Sequence, residues 1–493
     1  MKIYSRHPKL LILFIFLCII SCYKNPEQRA EKFQIISEIK TDKNSLFYID
    51  TEHYPGTRNS LPIGIFDSGT GGLTVLNSIL ELDKFNNQSH EDDSDGIADF
   101  FSESFIYLAD KANMPYGKYD AEGNTDFLKE LVIKDVRFLL CRKYYELPAD
   151  SIVKTDKDQV KAIVIACNTA TAFGLEIVQE AVKEWGLDIT VLGIIDAGSK
   201  SAVDLLNSVG SKDRVIGVLA TEGTCASNGY PKAIQKHFKN EFQQDEIRVV
   251  QQAGIGLAGA IDGDINYIEP AAAKVRDHEL YHGPGLNHTQ YPIDLSLWKE
   301  YNFETGRNLL VSEDSDGNVI EVQLNSVNNY IKYCVTHLVI KVLQKHPDRN
   351  MNPVILGCTH YPFFKKEIHD HFMYLKNLDN KYDKIIPEDI LLIDPAQSLA
   401  IELYHYLVRN NLFGSDKNEN SKFYISVPNP FLPENQIDEK NEFPYSYKYG
   451  RSVNKSLQFV KIVPFSNQWI DEEIRFRLKN SMPYTYEIIF KKK

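Results

Sequence analysis

The chain is poor in the features that mark several protein classes. Lys and Arg number 55 against 67 Asp and Glu, a net charge of −12, which argues against the basic footprint of a nucleic-acid-binding protein. Of its seven cysteines, Cys18 and Cys22 fall in an N-terminal leader. The rest, Cys141, Cys167, Cys225, Cys334 and Cys358, are odd in number and far apart, so they do not make a disulfide framework. No Cys-x-x-Cys pair or His/Cys cluster has zinc spacing, and no motif for an organic cofactor is visible. The chain also lacks a long apolar run at its start: Leu10–Ile20 is unbroken but only 11 residues, short for a bilayer span and suited to a signal-peptide core. His369 and His371 lie two apart on an expected helix, do not share a face, and read as surface residues.

What is present is first a leader. Lys2, Arg6 and Lys9 precede the apolar run, and Ile19-Ile20-Ser21-Cys22 resembles a bacterial lipobox whose cysteine is acylated. The expectation is a signal peptide over 1–22 and a polar tether over 23–60, with acyl chains on Cys22 holding an exported protein to a membrane without spanning it. A non-functional leader would leave the protein cytoplasmic. Beyond it, 43% hydrophobic residues with 11% aromatics describe a globular chain with a substantial core, long enough for two domains.

Two segments carry the chemistry. Ala162-Ile163-Val164-Ile165 runs into Ala166-Cys167-Asn168-Thr169-Ala170, and Pro353-Val354-Ile355-Leu356 runs into Gly357-Cys358-Thr359-His360-Tyr361-Pro362. Each reads as a buried strand ending at a thiol, followed by small hydroxyl residues able to open a helix. Carboxyl ends of strands are where open α/β sheets place ligands. Each segment belongs to one of two similar halves, opened by Ile63–Thr70 and Ile216–Thr224, both a strand entering a Gly/Thr turn. Strands alternating with helical patterns predict an α/β fold: two pseudo-symmetric domains, each a mostly parallel sheet with flanking helices, with the site in the cleft between them. The reading places domain 1 over 61–195 and domain 2 over 196–392, with an insertion at about 277–325. A C-terminal segment over 393–493 is expected to pack back on domain 1. Asp93-Ser94-Asp95-Gly96 and Asp314-Ser315-Asp316-Gly317 look like part of a calcium loop but lack its closing glutamate, and read better as Asp-Gly turns.

Gly64–Leu73, Ala109-Asp110 with Pro115-Tyr116-Gly117, Cys167–Ala170, Ala220-Thr221 with Thr224, and Gly357–Pro362 occur in this order. Together they resemble the glutamate racemases of the cofactor-independent aspartate/glutamate racemase superfamily. The resemblance implies interconversion of L- and D-glutamate without a cofactor, linked to D-glutamate supply for peptidoglycan. It implies that Cys167 takes the α-proton from the D-enantiomer and Cys358 from the L-enantiomer, with Asp67 and His360 as helpers. Asp67, Ser68, Tyr116, Gly117, Asn168, Thr169, Thr359 and His360 would contact the substrate. Thr221 and Thr224 are weaker candidates, with helix capping as the alternative. Two departures stand out: Asp196-Ala197-Gly198 replaces a usual Glu-Pro-Gly turn, and Asp262 falls where the family has a glutamate. A homodimer is one state the resemblance allows. Two other readings stay open: a racemase of another amino acid such as aspartate, and a non-catalytic surface binding protein on the same scaffold.

Overall fold

The computed structural model describes residues 33–490 apart from 209–213, 243–246, 416–419, 454–457, 467–468 and 470–471. The leader, Cys22 and the start of the tether therefore lie outside the described residues. Among the described residues no helix is long and apolar enough to cross a membrane.

Apolar β-branched runs form the strands, and all of those described except Leu309–Glu313 and Val319–Leu324 gather into two sheets. The first half contributes β1 (Ile63–Asp67), β2 (Phe105–Ala109), β3 (Ala162–Ile165) and β4 (Thr190–Gly193). The second contributes β5 (Val215–Ala220), β6 (Arg248–Ala253), β7 (Leu309–Glu313), β8 (Val319–Leu324), β9 (Met351–Gly357) and β10 (Leu392–Ile393). The C-terminal region adds β11 (Lys422–Pro428) and β12 (Val460–Pro464). One sheet has the order β12-β11-β2-β1-β3-β4 and the other β10-β9-β5-β6. All neighbours are parallel except β11 and β12. The central strands β1, β2, β3, β5 and β9 are buried along their whole length. That is the expected state of parallel strands covered by helices on both faces. The α/β architecture expected from the sequence is the architecture observed.

The polar stretch around Asp277–Asn325 leaves the α/β pattern: it holds the short helix Trp298–Tyr301 and the separate antiparallel pair β7-β8. One expectation is corrected here. His371 is buried, at 4% exposure, because the helix Val327–Lys345 packs against its own helix, Lys365–Leu378, and Thr336 Oγ1 hydrogen-bonds to its Nε2 at 2.9 Å. Burial holds its imidazole down to a pKa of about 3. The Asp-Gly segments form turns. Asp314 Oδ1 accepts from the amides of Asp316 and Asn318 at 2.9 and 2.8 Å, with Gly317 at φ +82°.

Candidate active site

Register decides what stands beside each thiol. In the first sheet β1 pairs with β3 so that Phe66 faces Ile165, which brings Asp67 and Cys167 out of neighbouring strand ends. In the second sheet β5 pairs with β9 so that Ala220 faces Gly357, which brings Thr221 beside Cys358. Both thiols line one cleft of about 800 Å³ with Asp67, Ser68, Asn168, Thr169, Thr221, Thr224, Asp262, Thr359 and His360. That volume is within the range of small-molecule sites.

The first thiol sits at a helix start. Cys167 is the N-cap of the helix Asn168–Glu184, its sulfur accepting from the Ala170 amide at 3.4 Å, and its Sγ donates to Ser68 Oγ at 3.5 Å. Burial, helped by the nearby Asp67 carboxyl, pushes the Cys167 thiol up to about 12. Asp67 is itself buried, and that burial raises its pKa, although its Oδ2 accepts from the amides of Gly69 and Gly72 at 3.1 and 3.0 Å. Gly72 must be glycine here, since a Cβ would lie 2.6 Å from that of Asp67 and 2.9 Å from that of Ala166.

The second thiol has a base as its neighbour. Cys358 Sγ lies 3.4 Å from His360 Nδ1, and His360 Nε2 lies 3.2 Å from Asp262 Oδ1. Burial disfavours the imidazolium, but the Cys358 sulfur and the Asp67 carboxyl outweigh it and raise the His360 pKa. The ring of His360 thus stands between the Cys358 sulfur, within hydrogen-bond reach, and the Asp262 carboxylate, at ion-pair distance. The order nucleophile, base, orienter is general in thiol chemistry.

Of the remaining expected residues, Thr221 caps the helix Glu222–Ser227, accepting from the Thr224 amide at 3.4 Å and bonding its hydroxyl at 2.9 Å. Both threonines therefore cap and also face the cleft. Tyr116 is a correction. Its phenol is fully buried and lies 2.5 Å from Asp110 Oδ2 and 2.6 Å from Asp135 Oδ2. It points into the first half's core, and Met114 and Pro115 line the cleft in its place. Burial and the nearby Asp110 raise the Asp135 pKa well above the usual carboxylate range. Gly117 stands at the edge, its Cβ position 3.8 Å from the Gly223 Cα of the other half. Residues that sequence reasoning missed include the wall residues Ala258, Asp264 and Ile265. It also missed Tyr230, whose hydroxyl donates to Asn168 Oδ1 at 3.2 Å. The Tyr230 ring fills the space that a side chain at Gly357 would need. Nothing in the local sequence marks these positions.

Paired strand-end thiols over one cleft, on two parallel sheets, place the chain with the amino-acid racemase class of isomerases. No family model matches the chain. It is similar to a glutamate racemase of Caldanaerobacter subterraneus, 24% identical over 385 residues, covering 76% of this chain and 94% of that protein. It is also similar to one of Clostridium novyi, 25% identical over 370 residues, covering 75% and 92%. Among solved structures, a glutamate racemase isoform from Bacillus anthracis matches at 23% identity with a TM-score of 0.42, covering 74% of this chain and 88% of that one. Over about three quarters of its length the chain is similar to glutamate racemases.

Proposed function

We propose that this protein interconverts L- and D-glutamate by transfer of the α-proton between two thiols. Cys358, as thiolate, takes the proton from L-glutamate, and the Cys167 thiol returns one to the opposite face. This leaves D-glutamate, a Cys358 thiol and a Cys167 thiolate, and the reverse reaction starts from that state. His360 shares the proton of Cys358 and is oriented by Asp262. Asp67 and Ser68 hold the Cys167 side. Amides and hydroxyls at the helix starts, with Asn168, Thr169 and Thr359, hold the substrate carboxylate and amino group. The observation that carries the reading is the convergence of Cys167 and Cys358, from the ends of two different sheets, on one cleft. The names of the relatives support glutamate as the substrate; supply of D-glutamate for peptidoglycan is part of the proposal. Acylation at Cys22 would place this activity at a membrane surface. Cys22→Ser should then move the protein to the soluble fraction with unchanged turnover.

The test is α-proton exchange and racemisation of both glutamate enantiomers in D₂O, under reducing conditions without added cofactor. Deuterium incorporation from either enantiomer together with loss of optical rotation is expected. Inert glutamate with active aspartate would shift the substrate. No exchange from either, with both thiols titrating as free, would sink the racemase reading.

A further inference from the structure

One wall of the cleft is held from the far end of the chain. Met114 and Pro115 form that wall, and Met114 lies over the turn that carries Ser68, its Sδ 2.5 Å from where a Cβ on Gly69 would stand. The segment Asn113–Tyr116 has little structure of its own beyond the 3-10 turn Lys111–Asn113, so what bonds to it fixes its position. Three of those bonds come from the helix Tyr445–Gly450 and the residue after it. Lys448 Nζ donates to the Met114 carbonyl at 3.1 Å, Tyr449 Oη to the Pro115 carbonyl at 3.4 Å, and Arg451 Nη2 to Asn113 Oδ1 at 2.7 Å. The same Arg451 nitrogen donates to Tyr119 Oη at 2.8 Å. Asn113 in turn gives its amide to Asp110 at 2.9 Å. Asn124 ties the segment back, donating to the carbonyls of Tyr449 and Arg451 at 2.8 and 2.6 Å. The buried guanidinium is fixed among aromatic rings, with its carbon 4.5 Å from the centroid of Phe443, 4.9 Å from Phe127 and 5.1 Å from Phe459. A cation so enclosed has little freedom to leave its bonds.

We propose that Lys448 and Arg451 are positioning residues of the cleft. They act through the Asn113–Tyr116 wall to set the space above Ser68 and Cys167. The proposal rests on the racemase reading for its kinetic consequence but not for its structural one. Small displacements at a reacting centre cost rate heavily, and a wall made of loop backbone yields unless its carbonyls are held.

Lys448→Met keeps the side-chain stem and removes the donor, on a helix that stays exposed. Arg451→Lys keeps the charge and loses the forked geometry. Each variant is measured for KM and kcat with both enantiomers, for thermal melting, and for the iodoacetamide alkylation rates of Cys167 and Cys358 resolved peptide by peptide. For Lys448→Met the expectation is a KM roughly 5-fold higher with kcat little changed, the size of one ordinary net hydrogen bond. Cys167 should alkylate several-fold faster while Cys358 keeps its rate. Arg451→Lys should show the same pattern more strongly. Unchanged KM and unchanged alkylation in folded Lys448→Met and Arg451→Lys would overturn the proposal, as would a lowered melting temperature with neither change. The alkylation arm needs no substrate. A failure of the racemase reading therefore appears as an inactive wild type, while a failure of this proposal appears as an unchanged Cys167.

Discussion

The two halves of the molecule present their thiols in different company. On the first sheet the strand beside the thiol ends in a carboxyl, Asp67, and the sulfur meets a hydroxyl and an amide. On the second sheet the strand beside the thiol is followed by Thr221, and a carboxylate stands on the far side of His360, at Asp262. The difference teaches that repeating a fold does not repeat its electrostatics. Cys167 is pushed up as a thiol by burial and by Asp67, whereas Cys358 has a basic ring within reach of its proton. On the proposed mechanism the resting protein is therefore set with Cys167 as the acid and Cys358 as the base, ready for the L-enantiomer. Since the enantiomers are mirror images, their equilibrium constant is one, and kcat/KM must stay equal in the two directions. The asymmetry can show only in kcat and KM taken separately, and in which enantiomer picks up solvent deuterium.

The comparison breaks most sharply at the sulfurs. Cys167→Ser and Cys358→Ser should each lower racemisation by roughly 10²–10⁴-fold, the range for a positioned acid or base. The residual activity should be one-sided. The Cys167→Ser protein should still exchange the α-proton of L-glutamate, and the Cys358→Ser protein that of D-glutamate, each without inversion, as read by mass spectrometry and polarimetry. Full racemisation by either variant would falsify the two-thiol mechanism. His360→Gln comes next: about 10²-fold lower kcat from L-glutamate is expected for loss of the imidazole. Its pH–rate profile should lose the limb set by the raised His360 pKa. Equal losses of kcat from both enantiomers would mean that His360 does not discriminate between the thiols. A smaller effect is expected at Asp262. Asp262→Asn should reduce kcat about 10-fold through misorientation of the ring, and Asp262→Glu should retain more activity than Asp262→Asn if the carboxylate orients His360.

The halves should also differ in acid. His371 and His337 belong to the second half, and burial lowers their pKa values to about 3 and about 4. A neutral buried imidazole binds fewer protons than the unfolded chain does below the ordinary histidine pKa. Its contribution is therefore intact above about pH 6.5 and is lost as pH falls toward the folded value. For His371 alone the loss by pH 5 is about 2 kcal/mol. Hydrogen exchange around the helices Val327–Lys345 and Lys365–Leu378 should rise between pH 6.5 and 5 before it rises around β1–β3. His371→Gln should flatten that limb, and uniform protection across both halves would remove this distinction.

Much of the site was legible because it is local. A β-branched run followed by Cys-Asn-Thr or Cys-Thr-His states a strand end, a thiol and a helix start within ten residues, and the ordered recurrence of such pieces carried the resemblance. What failed depends on directions that sequence does not state. The Tyr116 loop was placed beside the cleft, but its phenol turned inward to Asp110 and Asp135, carboxyls brought there by other elements. His371 was assigned to the surface from its own helix alone, whereas a second helix supplies the Thr336 that buries it. Tyr230 lies 62 residues from the Asn168 it bonds. Only the assembled fold makes that pair.

Tyr230 has a mechanical meaning as well. Its hydroxyl holds the helix start of one thiol and its ring lies against the glycine that precedes the other. It ties the two thiol-bearing segments to each other. The halves also meet at Gly117 and Gly223, backbone against backbone. A side chain anchored on both segments passes any displacement of one strand end to the other, so the spacing of the two sulfurs is set partly by this one tyrosine.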